Sequence, residues 1–323
     1  SATRGLLELC KNKEWDSIQS QLLQKHLSWD FMERDSTGNT PILICAIEGA
    51  LNILQSIHNM KPSYIDFEVK NKRGKTIMLL TCEHGHYDLL KWLIGIGGSI
   101  GDLDVAGNSC LLLASKNGHF SIVNWLLQNG CSLSDKNVFG DTSLHLAASA
   151  GSLEILKLLL FGTKINIDLR NEDGLSCIHK AIEAGQNETV KFLLTVGGNY
   201  QAKNKLGDSC ILTAAKNRNL ELVQLLYEYG ASLDDINKGG NNCILIASYN
   251  GDLQLLKYLV ENGCSLQDSN SSGTCIINAA RYRKLGAVLW MLQNGSSIDE
   301  NTALDFNGHI VTIDSCEDIL KDN

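Results

Sequence analysis

No apolar run in this chain approaches the ~20 residues needed to cross a bilayer, so no membrane span is expected. No block of five or six like charges occurs, and the formal net charge is −8. A nucleic-acid-binding footprint, which needs clustered lysine and arginine, is therefore not expected. The first residues, Ser1 to Leu9, lack the basic and then apolar pattern of a signal peptide. Proline is scarce, at Pro41 and Pro62 only, so other residues must start the helices.

Glycine, by contrast, is placed with a period. It returns at Gly38, Gly74, Gly107, Gly140, Gly174, Gly207, Gly240 and Gly273, in steps of 36, 33, 33, 34, 33, 33 and 33. Three residues before each stands an acid or its amide: Asp35, Asn71, Asp104, Asn137, Asn171, Asn204, Asn237 and Asn270. Ser or Thr follows most of them by two, as at Thr40, Thr76, Ser109 and Thr142. A fixed period of this length means one supersecondary unit stacked on copies of itself. Such stacks make extended binding surfaces more readily than catalytic pockets.

One unit shows the local logic. Asn137-Val138-Phe139-Gly140 reads as a turn, because the Asx side chain bonds the backbone two residues on and glycine tolerates positive φ. Thr142 is a good N-cap for a short helix through Leu144 to Ala148, and Gly151 ends it. A second helix follows from about Leu153 to Leu160, with a wide apolar face.

These units resemble the ankyrin-repeat family. Thr40-Pro41-Ile42-Leu43 keeps the Thr-Pro pair of the signature. Thr142-Ser143-Leu144-His145-Leu146-Ala147-Ala148 and Cys177-Ile178-His179 keep its Leu-His step. Gly85-His86 and Gly118-His119 keep its Gly-His pair, and Asn129-Gly130-Cys131 and Tyr229-Gly230-Ala231 match its end. The resemblance implies an all-α solenoid of helix-loop-helix units joined by β-turn or hairpin fingers, with a concave groove. The expected organisation is a capping helix pair over 1–34, eight repeats over 35–301, and an irregular C-terminal cap over 302–323. The chain departs from the family in its missing prolines, mostly replaced by Cys or Ser, and in keeping the Leu-His histidine only at His145 and His179.

Eleven cysteines are present, and Cys110, Cys177, Cys210, Cys243 and Cys275 hold equivalent places. Packed units stand ~8–10 Å apart, too far for a disulfide. The five read as buried, reduced residues, which implies a cytoplasmic location with the nucleus also open. Cys82, His84 and His86 form the densest Cys/His cluster, but the segment reads as helical and His86 fills the Gly-His position. No metal, cofactor or catalytic residue is expected. Trp92, Trp125, Phe192, Tyr258 and Trp290 recur where leucine stands elsewhere, which marks a core ridge. The extra residues of the first repeat, near Met60 to Tyr64, read as a solvated loop.

The resemblance implies partner contacts at the finger tips and the exposed ends of the first helices. In the groove these include Lys116, Lys216, Tyr249, Asn250, Arg281, Tyr282 and Arg283. Tyr and Arg dominate interface hot spots, so the C-terminal part is favoured and a partly acidic partner segment expected. Val138, Phe139 and Leu206 are apolar at turn tips, where they are candidates for partner contact. The expected function is a non-catalytic scaffold, monomeric by itself, that binds a protein or peptide. The alternatives are a regulatory module of a larger enzyme or channel, and a host-directed bacterial effector.

Overall fold

The computed structural model describes residues 5–23 and 29–296. The anticipated C-terminal cap lies outside the described residues. The chain divides into two compact units, Ser1–Asn166 and Ile167–Asn323.

The first unit opens with helices Leu6–Lys11 and Trp15–Leu23. Leu6, Leu7, Cys10, Ile18 and Leu22 are buried there, whereas Leu23 faces solvent. Four helix pairs follow: Pro41–Glu48 with Leu51–Met60, Ile77–Glu83 with Tyr87–Gly95, Cys110–Lys116 with Phe120–Gln128, and Ser143–Ala150 with Leu153–Gly162. The second unit holds four more: Cys177–Glu183 with Asn187–Thr195, Cys210–Lys216 with Leu220–Glu228, Cys243–Asn250 with Leu253–Glu261, and Cys275–Arg281 with Leu285–Gln293. Within each unit, first helices pack on first helices and each also packs on its own second helix.

Helices of seven to ten residues are marginal alone, so packing must hold them. The first helix of the second repeat buries Ile77, Met78, Leu79, Leu80 and Cys82 almost completely. Each buried leucine or isoleucine contributes about 1.5–3 kcal/mol. Capping fixes the starts. Thr40 and Thr76 accept from the backbone N–H of Leu43 and Leu79. Thr142 with His145 and Ser176 with His179 form reciprocal capping boxes. Of the seven repeats without the proline, four are capped by a side chain, at Thr76, Thr142, Ser176 and Asn242, whereas Ser109, Ser209 and Thr274 make no cap bond. The ten described cysteines are free, and all but Cys131 are buried.

The fingers are built from the Asx-Gly period. Asn137 Oδ1 accepts from the N–H groups of Phe139 and Asp141, both at 3.0 Å. Its Nδ2 donates to Asn108 of the preceding finger at 3.2 Å. Asn237 Nδ2 donates to Asp208 Oδ1 at 2.7 Å, and Asn270 Nδ2 to Asn241 Oδ1 at 2.6 Å. A backbone rung joins successive tips as well: Val138 N–H to the Ala106 carbonyl at 2.9 Å, and Lys238 N–H to that of Leu206 at 3.0 Å. Among the described residues the only strand pairing is a two-residue antiparallel ladder, Ser269–Asn270 with Gly273–Thr274.

Candidate functional site

In the second unit, Tyr249 and Tyr282 come from the ends of adjacent first helices. Their ring centroids stand 5.6 Å apart at an interplanar angle of 49°. Tyr282 is 55% exposed, and Tyr249 is half-buried. Burial first, then the charges of Asp208 and of the Tyr282 hydroxyl, push the Tyr249 hydroxyl up to about 12. It therefore stays a neutral phenol, able to donate. Arg281 ends the last first helix, half-buried, and the exposed Arg283 lies two residues on.

Two other predicted groove residues are engaged inside the unit. Lys216 Nζ forms an ion pair with the buried Asp208 carboxylate, which also accepts from Asn237. Asn250 Nδ2 donates to the Lys216 carbonyl at 3.4 Å. Asn217 does the same for the Ile182 carbonyl at 2.9 Å. In the first unit histidines take this part: His86 Nε2 donates to the Ile47 carbonyl at 2.7 Å and His119 Nε2 to that of Glu83 at 2.8 Å. Each tie satisfies an orphan carbonyl at the end of the preceding helix. Lys216 and Asn250 thus hold the groove together, and their position could not be told from a free surface position by spacing alone.

Backbone strain marks the same surface. Gly85, Gly118, Gly151, Gly185 and Gly251 follow the first helices with positive φ. Arg218 and Arg283 occupy that place in two repeats, at φ 57° and 55°. A left-handed conformation costs an L-residue about 1–2 kcal/mol. A cation beside a helix C-terminus recovers part of this. Arg218 Nε also stands 3.9 Å from Asp252 Oδ2. Neither residue's strain was visible in the sequence, although the break in the glycine column was.

In the first unit, Lys116 is exposed at its helix end. Val138 and Phe139 are 61% and 57% exposed at a finger tip. The neighbouring tip carries Val105, 72% exposed, which the sequence reading missed although it stands where Val138 does. Leu206, 64% exposed, is at a tip of the second unit. Several finger cations are internal ties. Arg34 donates to the Gly38 and Lys70 carbonyls, each at 2.8 Å, and Lys203 Nζ lies 2.5 Å from Asp235.

The His84 and His86 rings stack at 6.4 Å and 12°, but His86 is bonded to Ile47 and a hydrogen bond with Cys110 raises the Cys82 thiol. Among the described residues no group of three His, Cys, Asp or Glu side chains is placed to hold a metal. The Trp92 row is half-buried, with Trp92 edge-on to His58 at 5.7 Å. It is therefore a partly exposed flank, not a core ridge.

The family model for ankyrin repeats (3 copies) matches residues 44–137, 111–205, 144–237 and 211–302. The chain belongs to the ankyrin-repeat family. Ankyrin repeats are in general protein-interaction modules. Among solved structures, the chain is similar to the ankyrin repeat domain of human ASB11, with a TM-score of 0.59 and 22% identity. That match covers 70% of this chain and 99% of the other, and it supports the fold alone. No curated protein matches in sequence. Among the described residues no helix is long and apolar enough to cross a membrane.

Proposed function

We propose that this ankyrin-repeat chain is a non-catalytic recognition module. It docks a protein or peptide across the first-helix ends of its second unit. The observation that carries this reading is the Tyr249–Tyr282 pair beside Arg281. Two large rings stand near the surface, and aromatic rings with arginine are the side chains that anchor interfaces. Lys216 lends little charge to a partner, because Asp208 neutralises it. Complementarity to an acidic segment therefore rests chiefly on Arg281, since Arg218, two repeats away, faces Asp252. The finger tips at Val105, Val138 and Phe139 are a second candidate surface, in the first unit. Free, mostly buried cysteines accord with a reducing compartment.

The test is a crosslinking pull-down that compares wild type with Tyr282→Ala combined with Arg281→Glu, at matched thermal stability. The proposal expects a protein captured by wild type and lost from the variant. Equal capture by both would overturn it.

A further inference from the structure

The three extra residues of the first repeat build a cavity. Pro62–Tyr64 form a single 3-10 turn, and Tyr64 stacks on Phe31 at 4.2 Å and 15°. Trp29 meets Phe31 edge-on at 6.5 Å. The space these rings enclose is about 250 Å³, with Thr40, Ser63 and Asp66 also on its wall. Met60 to Ser63 are exposed, as expected of a solvated loop, whereas Tyr64 turns inward to complete an aromatic wall.

Thr76 Oγ1 donates to Asp102 Oδ2 at 2.8 Å, and Asn242 Nδ2 donates to Asp268 Oδ2 at 2.6 Å. In these two repeats the N-cap residue is closed on an aspartate 26 positions on, whereas Ser109 with Asp135 and Ser209 with Asp235 have the same spacing and stay open, their hydroxyls unpartnered. Thr40 and Asp66 are the corresponding pair in the first repeat. They make no such bond, and both line the cavity instead. Asp66 accepts only the Glu68 N–H, at 2.9 Å, among the described residues. Its carboxylate is left with acceptor capacity at the edge of an aromatic space. The wall segments carry Asp30, Glu33, Asp66 and Glu68, with Arg34, Lys61 and Lys70 at their ends, Arg34 being tied to the Gly38 and Lys70 carbonyls. A cation is already tolerated at one ring, since Lys61 Nζ sits 5.2 Å from the Tyr64 centroid.

We propose that this cavity binds an arginine side chain of a partner protein, independently of the second-unit surface. A guanidinium is planar and weakly hydrated, stacks on aromatic rings, and presents donors that a carboxylate accepts two at a time. Thr40 and Ser63 supply further acceptor oxygens. A neutral side chain of the same shape fills the space but leaves Asp66 unmatched.

The experiment titrates the full chain with the peptide acetyl-Gly-Gly-Arg-Gly-Gly-amide, followed by the backbone amide resonances of Met32 and Asp66. Its partner arm is the same peptide with citrulline, the neutral isostere of arginine. The proposal expects saturable shifts with arginine and at least tenfold weaker binding with citrulline. Asp66→Asn, at an exposed position, is expected to bring arginine down to the citrulline level without changing the melting temperature. Trp29→Leu is expected to weaken both peptides. Equal binding of the two peptides, no saturable shift with arginine, or full arginine affinity in Asp66→Asn would each overturn it.

Discussion

At the scale of single residues, much of this fold rests on exchange of polar atoms between neighbouring repeats, and His179 shows the consequence. Its Nδ1 meets Ser176 at 2.9 Å, and its Nε2 donates to the Asp208 carbonyl at 3.3 Å. Burial lowers it from 6.5 to about 4, outweighing the hydrogen bond to the Asp208 carbonyl, which raises it. The unfolded chain thus binds this proton before the folded one does. Stability from the neutral imidazole is complete above about pH 6.5 and declines as pH falls towards 4, by at most about 3 kcal/mol. His179→Gln is expected to melt lower at pH 7 but with a shallower decline between pH 6.5 and 4. An unchanged slope, measured by thermal melts across that range, would contradict the assignment. The glycine after each first helix offers a paired prediction. A Cβ at Gly85 would meet the His119 ring at 2.5 Å, whereas at Gly185 it would meet nothing within 4 Å. Gly85→Ala should cost about 2–4 kcal/mol, strain plus overpacking, and Gly185→Ala only about 1–2 kcal/mol. The reverse change, Arg283→Gly, should raise stability by about 1 kcal/mol by relieving its φ of 55°. Chemical denaturation of the three variants checks these values.

At the scale of elements, the finger is the unit whose chemistry was most legible. Asx at one place and glycine three residues on define a turn by covalent geometry alone, and the structure makes the Asx bonds as expected. The helices were legible too, from their caps and apolar faces. What spacing did not reveal was partnership. Lys216 pairs with Asp208 eight residues earlier, and Lys75 pairs with Glu83 eight residues later, at 2.5 Å. Neither pair shares a helix face, so no helical periodicity points to it. Lys216→Ala should therefore act as a stability mutation. It leaves a buried carboxylate without its cation and, discounted for the partial exposure of the lysine, should cost about 1–2 kcal/mol. A melt indistinguishable from wild type would show the ion pair to be idle. The lateral rung is tested by Asn237→Asp. This change keeps the turn acceptor but sets a carboxylate against Asp208, where 2.7 Å now separates donor and acceptor. It should cost about 1–3 kcal/mol more than Asn137→Asp, whose partner is the neutral Asn108. Comparison of the two unfolding midpoints decides it.

For the molecule as a whole, the repeat was legible because a stacked architecture writes the same constraints many times over. The family match over 44–302 follows the same period. The surfaces were less legible. Tyr249, Tyr282 and Arg281 could be singled out because helix-end positions are known from the period and large rings there have no packing duty. The aromatic wall of the first repeat could not, because Trp29 and Phe31 lie before the period begins and meet Tyr64 only in three dimensions. A partner held through Arg281 should bind more weakly as salt rises, since charges are screened beyond roughly 8–10 Å at physiological ionic strength.

The central claim, recognition through the second unit's first-helix ends, is tested most directly by site-specific photocrosslinking. A benzoylphenylalanine would be placed at Tyr282, and in a second protein at the exposed Lys191 on a second helix. The account predicts a discrete crosslinked partner from position 282, lost on Arg281→Glu, and none from position 191. The same adducts from both positions, or none from 282, would contradict it.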